Sequence, residues 1–163
     1  MIKVTGNKLE FNGKTYKCAV GKNGFAKNKA EGDNCSPIGT FALREVFYRN
    51  QKPATKLRTT KTEPNFGWCD DVASDDYNKF VLLPHPARHE KLWRDDNLYD
   101  VVVVLGYNDS PPVKGNGSAI FMHIARPNYE GTEGCIALTE TDLLEILASV
   151  DETTKIQIND ANS

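Results

Sequence analysis

A histidine and a cysteine stand twelve residues apart in the stretch FMHIARPNYEGTEGCIAL, Phe121 to Leu138. A thiol becomes a nucleophile when a base within hydrogen-bond reach takes its proton. Backbone N–H groups must then receive the oxyanion of the tetrahedral intermediate. His123 is the candidate base and Cys135 the candidate nucleophile. Gly134 permits a tight turn that would aim the N–H groups of Gly134 and Cys135 at an oxyanion. Each residue also has a plainer reading. A lone histidine on a strand is commonly a core residue with its hydrogen bonds satisfied. Free cysteine is among the most buried residue types, and most such thiols are inert. Residue types and spacing leave both readings open.

The surrounding elements must place these groups. Four consecutive valines in YDVVVVLGYN predict a strand covered on both faces and ended by Gly106. SAIFMHIA predicts a second strand, whose period of two puts Ala119, Phe121 and His123 on one face. After the cysteine, Thr139 suits an N-cap with Asp142 three residues on, a variant of the capping box. Leu143, Leu144, Ile146 and Leu147 then form the apolar face of a helix. TTKIQIND alternates as a last strand, and IKVTG, KLEFNG and KTYKCAVG read as three short strands at the other end. TFALREVFY is a further strand. The Gly-, Asn- and Lys-rich piece before it reads as an exposed loop to Ser36, with a turn at Pro37–Gly39. Arg49 to Asn65 shows no period and reads as loop. ARHEKLWR allows one or two helical turns, although Pro84 and Pro86 oppose a helix there. The expected fold is mostly β, a β-rich α+β domain of chiefly antiparallel strands with one main helix near the C-terminus.

With 163 residues the chain suits one domain, at about 100–200 residues per domain. Its 39% hydrophobic and 26% charged content is ordinary for a soluble globular protein. Net charge is −2 and no basic stripe stands out, which argues against nucleic acid. The first residues lack the apolar run of about 7–15 residues of a secretory signal, and nothing approaches the roughly 20 apolar residues of a membrane span. The simplest expectation is a cytoplasmic protein without membrane contact, or a periplasmic one if a leader has been trimmed. Cys18, Cys35, Cys69 and Cys135 then read as free thiols. His85 and His89 are four apart, as in some zinc sites, but the prolines weaken the helix that would pair them and no partner ligand has motif spacing. Neither a metal nor a cofactor is expected.

The cysteine stretch resembles the catalytic motif of the L,D-transpeptidase (YkuD) family. There a histidine precedes a Ser/Thr-His-Gly-Cys segment whose cysteine is the nucleophile. Here the segment is Thr132-Glu133-Gly134-Cys135, with His123 upstream. CSPIGTFAL, LGYN and GCIALTETDLLEILASVDETTKIQI are also similar to family segments. The resemblance covers about 33–43 and 101–158. It is weak across the charged middle, about 49–100, which is expected to be a subfamily-specific insertion or lid. The resemblance implies a YkuD-like mixed β-sandwich as a single catalytic domain over 1–163. The sequence departs from the family in three ways. Glu133 replaces the histidine two before the cysteine, Ala137 replaces a frequent Arg or Asn two after it, and the His–Cys spacing is shorter. A role such as holding a substrate carboxylate must then fall to other residues.

The chemistry so implied is acyl transfer on murein stem peptides through a Cys135 acyl-enzyme. His123 serves as base and then as proton donor to a leaving D-Ala. Water as acceptor trims the tetrapeptide L-Ala-D-Glu-diaminopimelate-D-Ala, and an amine acceptor makes a cross-link. The favoured expectation is a cytoplasmic L,D-carboxypeptidase of peptidoglycan recycling. A periplasmic cross-linking L,D-transpeptidase is the alternative, and a murein-peptide-binding domain without turnover is a third reading. The resemblance also implies acylation by carbapenems. Candidate substrate contacts are Glu133, as an orienter of His123 or a partner for an amine, and Arg126, as a carboxylate clamp. Tyr107 and Asn108 sit at the end of the valine strand, and His89, Trp93 and Arg94 belong to the lid. Each is equally an ordinary surface or packing residue. The oligomeric state is not legible.

Overall fold

The chain is described from a computed structural model covering residues 1–160. The strands are β1 (Ile2–Thr5), β2 (Lys8–Phe11), β3 (Lys14–Lys17), β4 (Phe25–Ala26), β5 (Ser36–Pro37), β6 (Gly39–Tyr48) and β7 (Thr59–Lys61). There follow β8 (Phe66–Cys69), β9 (Phe80–Leu82), β10 (His89–Lys91), β11 (Val101–Leu105), β12 (Phe121–Ile124) and β13 (Ile136–Leu138). The helix α1 (Glu140–Leu147) and β14 (Lys155–Asn159) close the chain. The molecule is mostly β with one α-helix near its C-terminus among the described residues, as the patterning predicts.

Nine strands form one mixed sheet in the order β13-β12-β11-β6-β14-β1-β2-β3, with β7 paired to β6. A three-stranded sheet, β10-β8-β9, and the pair β4-β5 complete the fold. Strict alternation along the central strands divides the interior in two. Val101, Val103, Ile120, Met122 and Ile124 join a large apolar cluster with the buried helix residues Leu143, Ile146 and Leu147. Val102, Val104, Ala119, Phe121 and Cys135 belong to a second cluster with Trp68, Leu92, Leu98 and Tyr99. The valine strand is therefore buried on both faces, which is why it carries no polar alternation. Thr139 caps α1, accepting from the Asp142 N–H.

Several local expectations give way to tertiary pairing. His89–Lys91, read as possible helix, is a strand because β8 offers its edge, with His89 opposite Cys69 and Glu90 opposite Trp68. The 49–65 stretch contains β7, held parallel to β6. The segment before Ser36, read as an exposed loop, contains β4 and buries Lys29 at 7% exposure. Pro37, expected in a turn, lies in β5 beside Ala26. The second predicted strand pairs only from Phe121, because Ala119 turns with φ of +53°. Beside the antiparallel ladders, β12–β13 and β1–β14 are parallel.

Candidate active site

Parallel pairing sets Met122 beside Ile136 and His123 beside Ala137. One residue back along β13, Cys135 therefore falls level with Phe121, two residues from His123 on the same face of β12. Both open on one cavity of about 700 Å³. The turn that delivers Cys135 needs glycine. Gly134 has φ of +140°, and a Cβ there would lie 2.8 Å from the Cys35 carbonyl oxygen. Ser36 ties the turn down, its hydroxyl donating to Gly134 O at 2.8 Å and accepting from Gly21 N at 2.9 Å. Thr132 Oγ1 donates to Cys135 O at 2.6 Å and accepts from Gly134 N at 3.1 Å. The Gly134 N–H, a candidate oxyanion donor by sequence, is thus already engaged.

Burial favours the neutral forms of both Cys135 and His123. Cys135 Sγ donates to Ala119 O at 3.2 Å and accepts from Phe121 N at 3.3 Å. Burial pushes its thiol up to about 12, with the Glu90 charge adding and the Phe121 N–H opposing. His123 is 7% exposed. Burial holds its imidazole down to about 4, against the bond to Ile124 O and with help from Arg94 and Arg126. The Ile124 carbonyl can only accept, so Nδ1, 2.9 Å away, carries the hydrogen and Nε2 is the free base. No direct hydrogen bond joins thiol and imidazole among the described residues.

The wall beside His123 comes from the charged middle of the chain. The Tyr99 ring meets His123 edge-on at 5.3 Å and Phe121 at 5.9 Å. Its hydroxyl donates to Glu90, whose carboxyl is raised to about 7 by burial, with the Tyr99 bond opposing. The Arg94 guanidinium lies 5.1 Å from the Tyr99 ring centre and grips Asp96 with two bonds of 2.8 Å. Glu133 and Arg126 are exposed at the cavity rim.

The other candidates are placed elsewhere. Tyr107 packs edge-on against Phe41 at 5.5 Å. Asn108 bridges a turn, donating to Val113 O and Gly117 O and accepting from Val113 N. His89 Nδ1 bonds to Ala87 O, and Trp93 lies under the Arg49 guanidinium at 4.1 Å. None of these four lines the cavity. His85 meets His89 edge-on at 6.5 Å, and no cluster of potential metal ligands occurs among the described residues. Conversely Lys29, Glu31, Glu90 and Tyr99 line the cavity without having been singled out by sequence. They come from two distant segments, and no local spacing marks them.

The family model of the L,D-transpeptidase catalytic domain (YkuD) matches residues 4–158. No curated protein matches the chain.

Proposed function

The chain belongs to the L,D-transpeptidase catalytic-domain (YkuD) family, whose cysteine-dependent activity acts on peptidoglycan peptides, and we propose that it removes terminal D-Ala from murein tetrapeptides. Cys135 is the nucleophile and His123 the base in this reading. The observation that carries it is the convergence of a buried thiol and a neutral imidazole with a free Nε2 on one cavity.

The thiol turns from Ala119 O toward the substrate and attacks the carbonyl carbon of the L-centre of diaminopimelate. Its proton passes to His123 Nε2 as the S–C bond forms. The Cys135 N–H is the proposed oxyanion donor, since Thr132 holds that of Gly134. The C–N bond breaks, and His123 returns the proton to the departing D-Ala amine. Water then attacks the thioester, again giving its proton to His123, and the C–S bond breaks to release tripeptide and restore the thiol. A neutral pair at rest makes this proton transfer concurrent with attack rather than a pre-formed ion pair.

The polar cavity supports water as acceptor, and the residue types lining it suit a zwitterionic peptide. Arg126 and Arg94 face carboxylates, and Glu133 and Glu90 face the diaminopimelate amine. The 49–100 segment acts as an insertion that walls the cavity. No helix among the described residues is long and apolar enough to cross a membrane. We propose the cytoplasm as the compartment because a water acceptor suits soluble recycled peptides. The same carboxylates also suit an incoming amine, which favours cross-linking as the second reading. Incubation with L-Ala-D-Glu-diaminopimelate-D-Ala, read by mass, separates the two. Tripeptide and D-Ala are expected. Dimer, or exchange of an added D-amino acid, would assign transpeptidation instead, and an unchanged tetrapeptide would leave a binding domain.

A further inference from the structure

One cation in the cavity wall has no part in the steps above. Lys29 lies between β4 and β5 with its side chain 3% exposed. Its Nζ is 3.4 Å from where a Cβ on Gly134 would stand, so the ammonium adjoins the turn that presents Cys135. Its stem lies over Gly117, where a Cβ would meet Cε at 2.8 Å. Nζ donates to Asp33 Oδ1 at 2.6 Å. Asp33 also accepts from Ala30 N and Cys35 N, so the loop holds the carboxylate and the carboxylate holds the lysine. The other carboxylate of this loop, Glu31, is engaged by the hydroxyls of Tyr77 at 2.7 Å and Ser118 at 2.6 Å.

An ammonium has three donors, and Asp33 takes one. Burying such a charge is costly unless it is fully paired, and an apolar side chain of the same size would fill the space without that cost. The cavity beside Cys135 is where Lys29 can find a second anion. Lys22 and Arg126 are exposed at the rim, where water and salt weaken their pull. In a peptide cleaved at its last amide, the free carboxylate lies one Cα beyond the scissile nitrogen, close to the attacked carbon.

We propose that Lys29 binds the free α-carboxylate of the residue that leaves, so that the site reads a chain end. This rests on the acyl-transfer reading of the cavity. The test compares kcat/KM for the tetrapeptide and for the same peptide with a C-terminal amide, in the wild type and in Lys29→Met. The wild type should prefer the free acid by about tenfold to a hundredfold, the value of one charged hydrogen bond. Lys29→Met should lose that preference, chiefly through KM on the acid. Lys29→Arg should keep part of it. If Lys29→Met fails to fold, the pair Lys29→Met with Asp33→Asn removes both charges, and the same ratio is read. A variant that keeps the wild-type acid preference overturns the proposal. So does a wild type that cleaves acid and amide equally well, and in that case the acyl-transfer reading stands. A wild type that cleaves neither peptide overturns both.

Discussion

The two faces of β12 have different compositions and different sources. Ile120, Met122 and Ile124 point into an apolar cluster shared with α1 and the outer strands. Ala119, Phe121 and His123 point the other way, toward Cys135, Trp68, Tyr99 and the cavity. The first cluster holds two ionisable groups, Cys18 and Tyr16, and neither lines the cavity. The second carries a thiol raised to about 12, an imidazole lowered to about 4 and a carboxyl raised to about 7. All three shifts disfavour charge. This face holds its ionisable groups toward their neutral forms beside a cavity, and substitutions on it should change the proposed chemistry more than those on the apolar face.

The sharpest break falls on the chemical face. Cys135→Ala should abolish peptide cleavage, by at least about a thousandfold, with the melting transition preserved. His123→Ala should cost roughly 10²–10⁴-fold in kcat with the fold retained. Wild-type turnover in a His123→Ala variant that melts normally would remove it from the mechanism. On the other face the effect should invert. Ile146→Ala empties a site only 1% exposed and should lower stability by about 2–5 kcal/mol in denaturant unfolding, while the folded fraction keeps its specific activity.

The pH dependence of stability sharpens the comparison further. His123 falls from 6.5 to about 4 on folding, so its contribution is present above about 6.5 and is lost as pH falls through about 4. Glu90 rises from 4.5 to about 7, so its contribution is present below about 4.5 and is lost as pH rises through about 7. The two slopes oppose each other between about 4.5 and 6.5. Relative to wild type, Glu90→Gln should steepen the gain in stability with rising pH in that window. His123→Asn should reduce that gain or reverse it. Identical pH profiles for all three proteins would mean that neither group is shifted. The smallest expected effect is at the helix cap, where Thr139→Ala should cost about 1 kcal/mol and leave turnover unchanged.

Much of this contrast was legible in the chain. The valine run, the alternation through His123, the cap at Thr139 and the helix face at Leu143, Ile146 and Leu147 are local patterns, and the structure follows each of them. Less legible was the strand at His89–Lys91, because its pairing energy comes from β8, twenty residues away in sequence. Tyr107 and Asn108 follow the valine strand, yet their side chains turn to Phe41 and to the 113–117 turn. Strand position alone does not say which way a rim residue faces.

By itself the sequence determined the mostly-β class, the family and the candidate histidine and cysteine with a required glycine before the thiol, since hydrophobic period, turn chemistry and motif are properties of neighbouring residues. Only the tertiary structure decided what surrounds that pair. Tyr99 reaches His123 from the middle segment, Glu90 reaches the Tyr99 hydroxyl, and Lys29 reaches the Gly134 turn from 105 positions upstream. Burial and Coulomb interactions depend on distance through space, which no local pattern encodes.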